Sequence, residues 1–583
     1  MIRICGLLAV VLVASTATGR GPAFLAKEIH SQIDDRQLML SSIGVSHGGS
    51  SIDALLHRES LRYDTDKTCI LLVGRSSWES RSIGEALIWF YGNPEAAEFR
   101  RDFVLSAVPT MIPSRPRQGP WSFPPQGTAY NDPKEAGLIY LWRWIGMQAP
   151  DLVVEVRTME KEQSWFVPEM AYPGRDALLS VLKPTADGQA SELVAALVRT
   201  PACETGRIPS IRVNTAGQHA VAFLPKLLIA LKKAGFSGPS PARQALQQRI
   251  DRSPIEVARQ LSEHYGHDLK RVLYIPALAL VGRLRLGGLM EDPSHQRDVE
   301  RIVAPYVEGK QATTVTNGSG LSGHLVFAEL ASRTAGAARS QYVMLSRNAA
   351  DLAFDSGGQL QPMMPFHNEM SDSLFMGGPI LAHVGQLTGD DRYYDACIKH
   401  LRAMRKLVLR DDGLYRHSPL DEAAWGRGNG FPALGLAWCL THWPQDRDDR
   451  GELLGMFRDH VAALVQHQDA TGCWHQVVDR ADTYRELSCT CMITFALCRG
   501  VRKGWLDAET YGPVIDKGWH AIRARIAPDG RLVDVCTGTG KQETLTDYYH
   551  RPAILGHDAR GGAMALLAAT EMADYQRAIE RKR

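Results

Sequence analysis

Apolar and polar positions follow two different rhythms along this chain. From about Thr68 to Leu231, short apolar runs such as Cys69-Ile-Leu-Leu-Val73, Phe103-Val-Leu-Ser-Ala-Val108 and Asp151-Leu-Val-Val-Glu-Val156 read as strands. Helical patterns over 83–91 and 133–147 separate them. Strand and helix in alternation predict an α/β domain, placed at 45–235, with a proline-rich loop from Pro113 to Pro125. The stretch Gly235-Phe-Ser-Gly-Pro-Ser-Pro241 breaks the rhythm and marks a linker at 236–254. Beyond it strand signals almost vanish, and about twelve helical segments follow one another to the C-terminus.

Every second one of those segments is rich in Ala, Gly, Leu and Cys. They begin near Arg271, Leu321, Ser371, Arg427, Tyr484 and Arg560, while the intervening ones, such as 391–409 and 452–467, carry more charge. A repeat of roughly fifty to sixty residues, each a helix pair, signals stacked hairpins. Six pairs close into an all-α (α/α)6 toroid over 255–577, apolar helices inside and amphipathic ones outside; an open solenoid is the alternative. Polar or glycine-rich loops precede the inner helices, among them Thr316-Asn-Gly-Ser319, His367-Asn-Glu-Met-Ser-Asp372, Trp425-Gly-Arg-Gly-Asn-Gly430 and Asp558-Ala-Arg-Gly-Gly562. In a closed ring these loops converge, and the helix N-termini direct partial positive charge to one crevice suited to an acidic ligand.

Composition changes this picture little. With 44% hydrophobic and 22% charged residues the chain is ordinarily globular. Its 66 Lys and Arg balance 64 Asp and Glu, so no net field recruits nucleic acid or an anionic membrane. Residues 1–19 open with an early cation, Arg3, then a short apolar run and small residues: a secretory signal peptide, implying a secreted or periplasmic protein. Nothing later is long and apolar enough for a membrane span. The ten cysteines do not form a dense framework and read as buried small hydrophobes, and no Cys/His spacing predicts a metal site.

The candidate chemistry lies in the ordered series Asp372-Ser-Leu-Phe-Met-Gly-Gly-Pro379, Gly413-Leu-Tyr-Arg-His417, Trp425-Gly-Arg-Gly-Asn-Gly-Phe431, Gly472-Cys-Trp-His-Gln-Val477, Glu486-Leu-Ser488 and Tyr548-Tyr549. Over about 255–577 this series resembles glycoside hydrolase families 105 and 88, the unsaturated glucuronyl and rhamnogalacturonyl hydrolases. The resemblance implies removal of a 4,5-unsaturated uronic acid from the non-reducing end of an oligosaccharide left by a lyase. It implies no cofactor and no metal, and Asp372 as the catalytic acid; a helix-capping carboxylate is the bland alternative. Apolar Phe375 and Met376 favour the protonated acid and the helix N-terminus opposes it, and an acid-shifted activity optimum is expected. Arg427 is assigned to the uronate carboxylate, or else to an ion pair; Trp425 to a sugar face or to packing; His417 to the sugar ring or to a structural role. Glu486 orients Arg427 or caps its own helix, and Asn317 hydrogen-bonds the substrate. Two departures stand out. The loop at 316–319 lacks the second Asp of many family members, and Met370 stands where many have Trp. Pectin, ulvan and glycosaminoglycans all stay open as the parent polymer, as does the oligomeric state; another carbohydrate enzyme on the same toroid, or a non-catalytic glycan-binding protein, is the alternative function.

The segment Val73-Gly-Arg-Ser-Ser-Trp-Glu79, with Asp151-Leu-Val-Val-Glu-Val-Arg157, resembles a zinc carboxypeptidase domain over about 45–235. Where that family has zinc ligands this chain has Ser76, Glu79 and Arg157, which implies a peptidase-like domain without zinc or peptidase activity.

Overall fold

The computed structural model describes residues 22–581 apart from 47–48, 76, 112–121, 126–135, 160–163, 171, 173, 185–191 and 217–222. The signal-peptide expectation at 1–19, Ser76 and most of the loop 113–125 therefore lie outside the described residues.

The N-terminal part is built on a seven-stranded mixed sheet: β1 (Leu38–Val45), β2 (Ser51–His57), β3 (Thr68–Gly74), β4 (Phe103–Val108), β5 (Leu152–Met159), β6 (Ser164–Phe166) and β7 (Ser210–Ala216). The order is β1-β2-β4-β3-β5-β7-β6. The four central strands pair in parallel, and β1, β2 and β6 join antiparallel at the edges. Continuous apolar runs suit β3 and β4 because both faces of a central parallel sheet are covered. Alternation then sorts their side chains. Ile70 and Leu72 enter one core with the helices Ser77–Gly92 and Phe223–Lys233, and Leu71 and Val73 enter another with the helix Ala136–Gln148. Three of these strands and both early helices were expected from sequence; β1, β2, β6 and β7 were not.

The segment expected as a linker, 236–254, contains a helix, Pro241–Asp251, begun by a Ser240 cap and a proline. It is pinned at both ends. Arg243 is ion-paired to Asp151 at 2.9 Å, and Arg252 Nη2 donates to the carbonyl of Arg523 at 2.9 Å. A composition typical of a flexible connector was misleading, since arginines lost among the polar residues reach carbonyls far along the chain.

The rest is the expected ring. Inner helices Tyr274–Met290, Gly426–His442, Leu487–Arg502 and Ala559–Glu580, with the two broken ones Gly318–Ala331 and Ser373–Thr388, alternate with outer helices such as Arg392–Val408 and Arg450–Val465. Ala559–Glu580 packs against both Leu487–Arg502 and Tyr274–Met290, which closes the toroid and rules out the open solenoid. A two-stranded hairpin, β8 (Leu532–Cys536) and β9 (Ala553–Gly556), precedes the last inner helix and had no counterpart in the sequence reading. All nine cysteines in the described part are free and buried. Among the described residues no helix is long and apolar enough to cross a membrane.

The two parts share a core. The cluster that contains Leu71, Tyr140 and Trp144 continues into Trp425, Val477, Tyr484, Val533 and Tyr548 of the toroid. At its edge Arg143 forms a buried ion pair with Asp534 (side chains 3% and 7% exposed) and donates to the carbonyl of Ala553 at 3.0 Å. Asp534 sits at a β-bulge with φ of 63°, a left-handed conformation that a non-glycine residue adopts only when its surroundings hold it there.

Candidate active site

Asp372 stands at the mouth of the ring, at the start of the short helix Ser373–Met376, and makes no capping hydrogen bond. Its backbone is already helical (φ −51°, ψ −30°), which turns the carboxylate away from the first free N–H groups. The capping alternative is thereby removed. Oδ2 lies 3.2 Å from Nε2 of His417 and has no hydrogen-bond partner of its own. The backbone binds the two segments together, since Ser371 N donates to the carbonyl of His417 at 2.9 Å.

His417 is held from behind. Its Nδ1 lies 2.8 Å from the hydroxyl of Tyr548, which also accepts from Gln542 N at 3.2 Å. The tautomer in which the tyrosine donates to Nδ1 is the one that places the ring proton on Nε2, on the side of Asp372. The indole of Trp425 packs on the imidazole, ring centroids 4.4 Å apart. Burial pushes the Tyr548 phenol up to about 12, so it stays a neutral donor.

At four of the candidate residues the geometry departs from a direct sugar contact. Trp425 has no free face for a sugar, because His417 lies against it and the guanidinium of Arg427 sits over its ring at 4.8 Å. His417 has its Nδ1 taken by the Tyr548 hydroxyl, and its Nε2 faces Asp372 Oδ2 at 3.2 Å without a hydrogen bond, which sets the ring against Asp372 rather than open space. Arg427 is no open fork: Nη1 donates to the carbonyl of Cys536 at 2.6 Å and Nη2 to that of Thr537. Burial works against its charge, and Cys536, Tyr274, Glu486 and Asp372 outweigh that, holding the guanidinium above its ordinary range. Arg427 therefore supplies fixed positive charge near Asp372 while it anchors the end of β8. Glu486 is wholly buried and caps its own helix, accepting from Ser488 N at 3.0 Å and Cys489 N at 2.6 Å, and also from Cys536 N at 2.9 Å. It meets Arg427 only through the Ser488 hydroxyl. The common reason is that these polar groups satisfy orphan backbone groups where helix ends and loops meet, a need that a linear motif does not display.

Asn317 remains at the mouth. It is half-buried and its Oδ1 caps Gly320 N at 3.0 Å, which leaves its amide N–H groups to donate. A Cβ on the next residue, Gly318, would meet the His367 ring at 2.5 Å, so this loop lies against the one that carries Asp372. His367 itself was missed by sequence. Burial, opposed by Asp372 and aided by His417, pushes its imidazole down. Its signal was only a histidine in the pre-helix loop. Tyr274 was missed as well; its phenol, raised chiefly by burial, feels Arg427, Arg560, Asp372 and Asp558. The glycines of the Trp-Gly-Arg-Gly-Asn-Gly motif have steric reasons. A Cβ on Gly426 would stand 2.5 Å from the carbonyl of His475, and one on Gly428 2.9 Å from Oγ of Ser371, the residue before Asp372.

This geometry can be set beside known proteins. The model of Glycosyl Hydrolase Family 88 matches residues 327–576. The C-terminal region is a domain of that family's type. An unsaturated rhamnogalacturonyl hydrolase of Bacillus subtilis is 28% identical over 191 residues, 31% of this chain and 53% of that protein. An unsaturated 3S-rhamnoglycuronyl hydrolase of Formosa agariphila is 29% identical over 179 residues, 28% of this chain and 48% of that protein. The chain thus spans about half the length of the curated relatives it matches. A crystal structure described as a possible member of the GH105 family, from Salmonella enterica, is 22% identical with a TM-score of 0.47, over 57% of this chain and 94% of that one. The family 88 match holds Asp372, His417, Arg427 and Tyr548 but not Asn317, which precedes its first matched residue.

Proposed function

We propose that the protein is a carbohydrate-active hydrolase that removes a 4,5-unsaturated uronic acid from the non-reducing end of lyase-generated oligosaccharides. The observation that carries this reading is the uncapped carboxylate of Asp372, 3.2 Å from a ring nitrogen of His417 among converging helix ends. Asp372 delivers its proton to C4 of the enol ether, and cationic character develops at C5 and the ring oxygen. Water adds at C5 and returns a proton to Asp372, and the hemiketal opens with release of the aglycone as an alcohol. One carboxyl group serves as acid and then as base. His417 Nε2–H steadies the carboxylate once its proton has left, and the fixed charge of Arg427 and the helix N-termini attract the uronate.

An ordinary glycosidase needs a second carboxylate across the cleft. Glu486 and Asp558, at the starts of two inner helices, are both spent on helix caps, Asp558 accepting from Arg560 N and Gly561 N at 2.9 Å each. Incubation with unsaturated oligosaccharides from several lyases tests the reading: the ultraviolet absorbance of the conjugated double bond should decay. Asp372→Asn should slow that decay by about 10²–10⁴-fold without unfolding the chain, and unchanged turnover would remove Asp372 from the mechanism.

We read the N-terminal part as peptidase-like and devoid of zinc. Its support is local: Glu79 accepts from Thr158 N at 3.1 Å, and Arg157, at a ligand position, pairs with Glu155 at 2.9 Å and would repel Zn²⁺. Stoichiometric zinc in the purified protein would contradict this. Residues 1–19 are proposed as a cleaved secretory signal, which N-terminal sequencing of the exported protein would test.

A further inference from the structure

The end of the toroid opposite Asp372, where the inner helices finish, holds a cavity of about 380 Å³. Arg285, Arg333, Arg499, Arg502, Lys503 and Arg577 line it. Three carboxylates answer these six cations. Glu571, wholly buried beneath, is bonded by Arg285, Arg499 and Arg502; Asp574 lies 3.0 Å from Arg285, and Glu329 3.7 Å from Arg333. An excess of three positive charges is left. It is concentrated at the rim, where Arg577 donates to the carbonyl of Leu289 at 2.8 Å and Lys503 has no carboxylate within 4 Å among the described residues. Lys503 is pushed down by partial burial first and then by Arg502 and Arg499, against Glu571 and Asp574. The C-terminal dipoles of the inner helices offset part of this excess, but they act within the last turn, whereas Lys503 and Arg577 are exposed.

We propose that this basin binds a sugar-sized oxyanion ester of the sulfate or phosphate class. Guanidinium forks suit such tetrahedral anions, and the single charge of a sulfate ester or the nearly two of a phosphate ester would offset part of the excess. The cavity falls within the usual size of small-ligand pockets, at roughly 300–1,000 Å³, and exceeds what a bare ion needs.

A competing use of the same region is a metal site, since Glu329, His383 and His442 bring ligand atoms within 4.8 Å of one another. The imidazoles argue against it. They are stacked, centroids 3.7 Å apart and planes 15° from parallel. Ring-nitrogen lone pairs lie in the ring plane, so one ion cannot sit in both planes at a bond length of about 2.0–2.1 Å.

The proposal does not depend on the hydrolase reading. Calorimetric titration of the full-length protein with inorganic sulfate, inorganic phosphate, glucose 6-sulfate and glucose 6-phosphate tests it, at ionic strength fixed with sodium chloride. Glucose itself should give no heat, the sugar esters should bind at least tenfold tighter than the inorganic ions, and the ratio of the two esters assigns the anion. The double variant Lys503→Ala/Arg577→Ala removes two exposed side chains and should keep its fold and melting temperature. It should weaken ester binding at least tenfold, with turnover of the unsaturated substrate unchanged. No binding of either ester by the wild type at 20-fold the protein concentration in the millimolar range, or equal binding by the variant, would overturn the proposal. So would stoichiometric zinc binding that is lost in His383→Ala.

Discussion

Replacing Arg143 by methionine probes the joint between the two parts of the molecule most directly. The guanidinium is 3% exposed and its partner Asp534 7%, so the pair sits away from water, and methionine keeps most of the volume while deleting the charge. Breaking a buried ion pair from one side typically costs about 3–5 kcal/mol, chiefly because the remaining charge has been desolvated without its partner. At about 2 cal/mol/K per residue, a cooperative unit the size of this chain loses roughly 1 °C of melting temperature per kcal/mol. The variant should therefore melt about 3–5 °C below the wild type in differential scanning calorimetry. The effect should also reach the active site, because Arg143 holds Asp534 in β8 and Ala553 in β9, and β8 ends at the carbonyl that seats Arg427. Turnover at a temperature where the variant is still folded should fall with it, and Arg143→Lys should recover part of both. A melting temperature within about 2 °C of the wild type would show that the pair is not a determinant of the joint, and the argument from burial would fail.

Tyr548→Phe deletes the hydroxyl that meets His417 Nδ1 at 2.8 Å; kcat should drop about tenfold or more with KM little changed, and a shift in KM alone would contradict a positioning role. His383, His400 and His520 are each pushed down to about 4, chiefly by burial. They are neutral in the folded chain while the unfolded chain protonates them near 6.5, so stability is intact above that pH and falls as the pH drops from 6.5 towards 4. The slope is up to about 1.4 kcal/mol per pH unit for each histidine; melting curves that stay flat over this window would refute it. Gly472→Ala places a Cβ at φ of 90° and 2.1 Å from the carbonyl of Lys517, and should cost at least ~2 kcal/mol, read as a lower urea midpoint with an unchanged slope.

The toroid was legible because its signal is repeated. Small-residue inner helices recur along 250 residues and more, and the predicted starts near Ser371, Arg427 and Arg560 lie within a few residues of helices beginning at 373, 426 and 559. The strongly apolar β3, β4 and β5 were legible for the same reason, whereas β1 (Leu-Met-Leu-Ser-Ser-Ile-Gly-Val) carries serines and a glycine and lies at the sheet edge. The site was legible as a set of residues but not as a set of roles. Asp372 is uncapped, while Arg427 lies over the Trp425 ring and bonds the carbonyl of Cys536, and Glu486 bonds the first N–H groups of its own helix. Backbone demand of this kind appears only when helix ends and a hairpin meet in space. Tyr548 was quoted as part of the motif series without a role, because its partner stands more than a hundred residues earlier.

The continuous core beneath the sheet carries a consequence for how such a chain can be divided. Cutting it at residue 254 would leave Val477, Tyr484, Val533 and Tyr548 facing water as one sticky plate. Expressed alone, the helical ring would carry that plate uncovered and should be less soluble than the full chain, because each part serves as the other's cover.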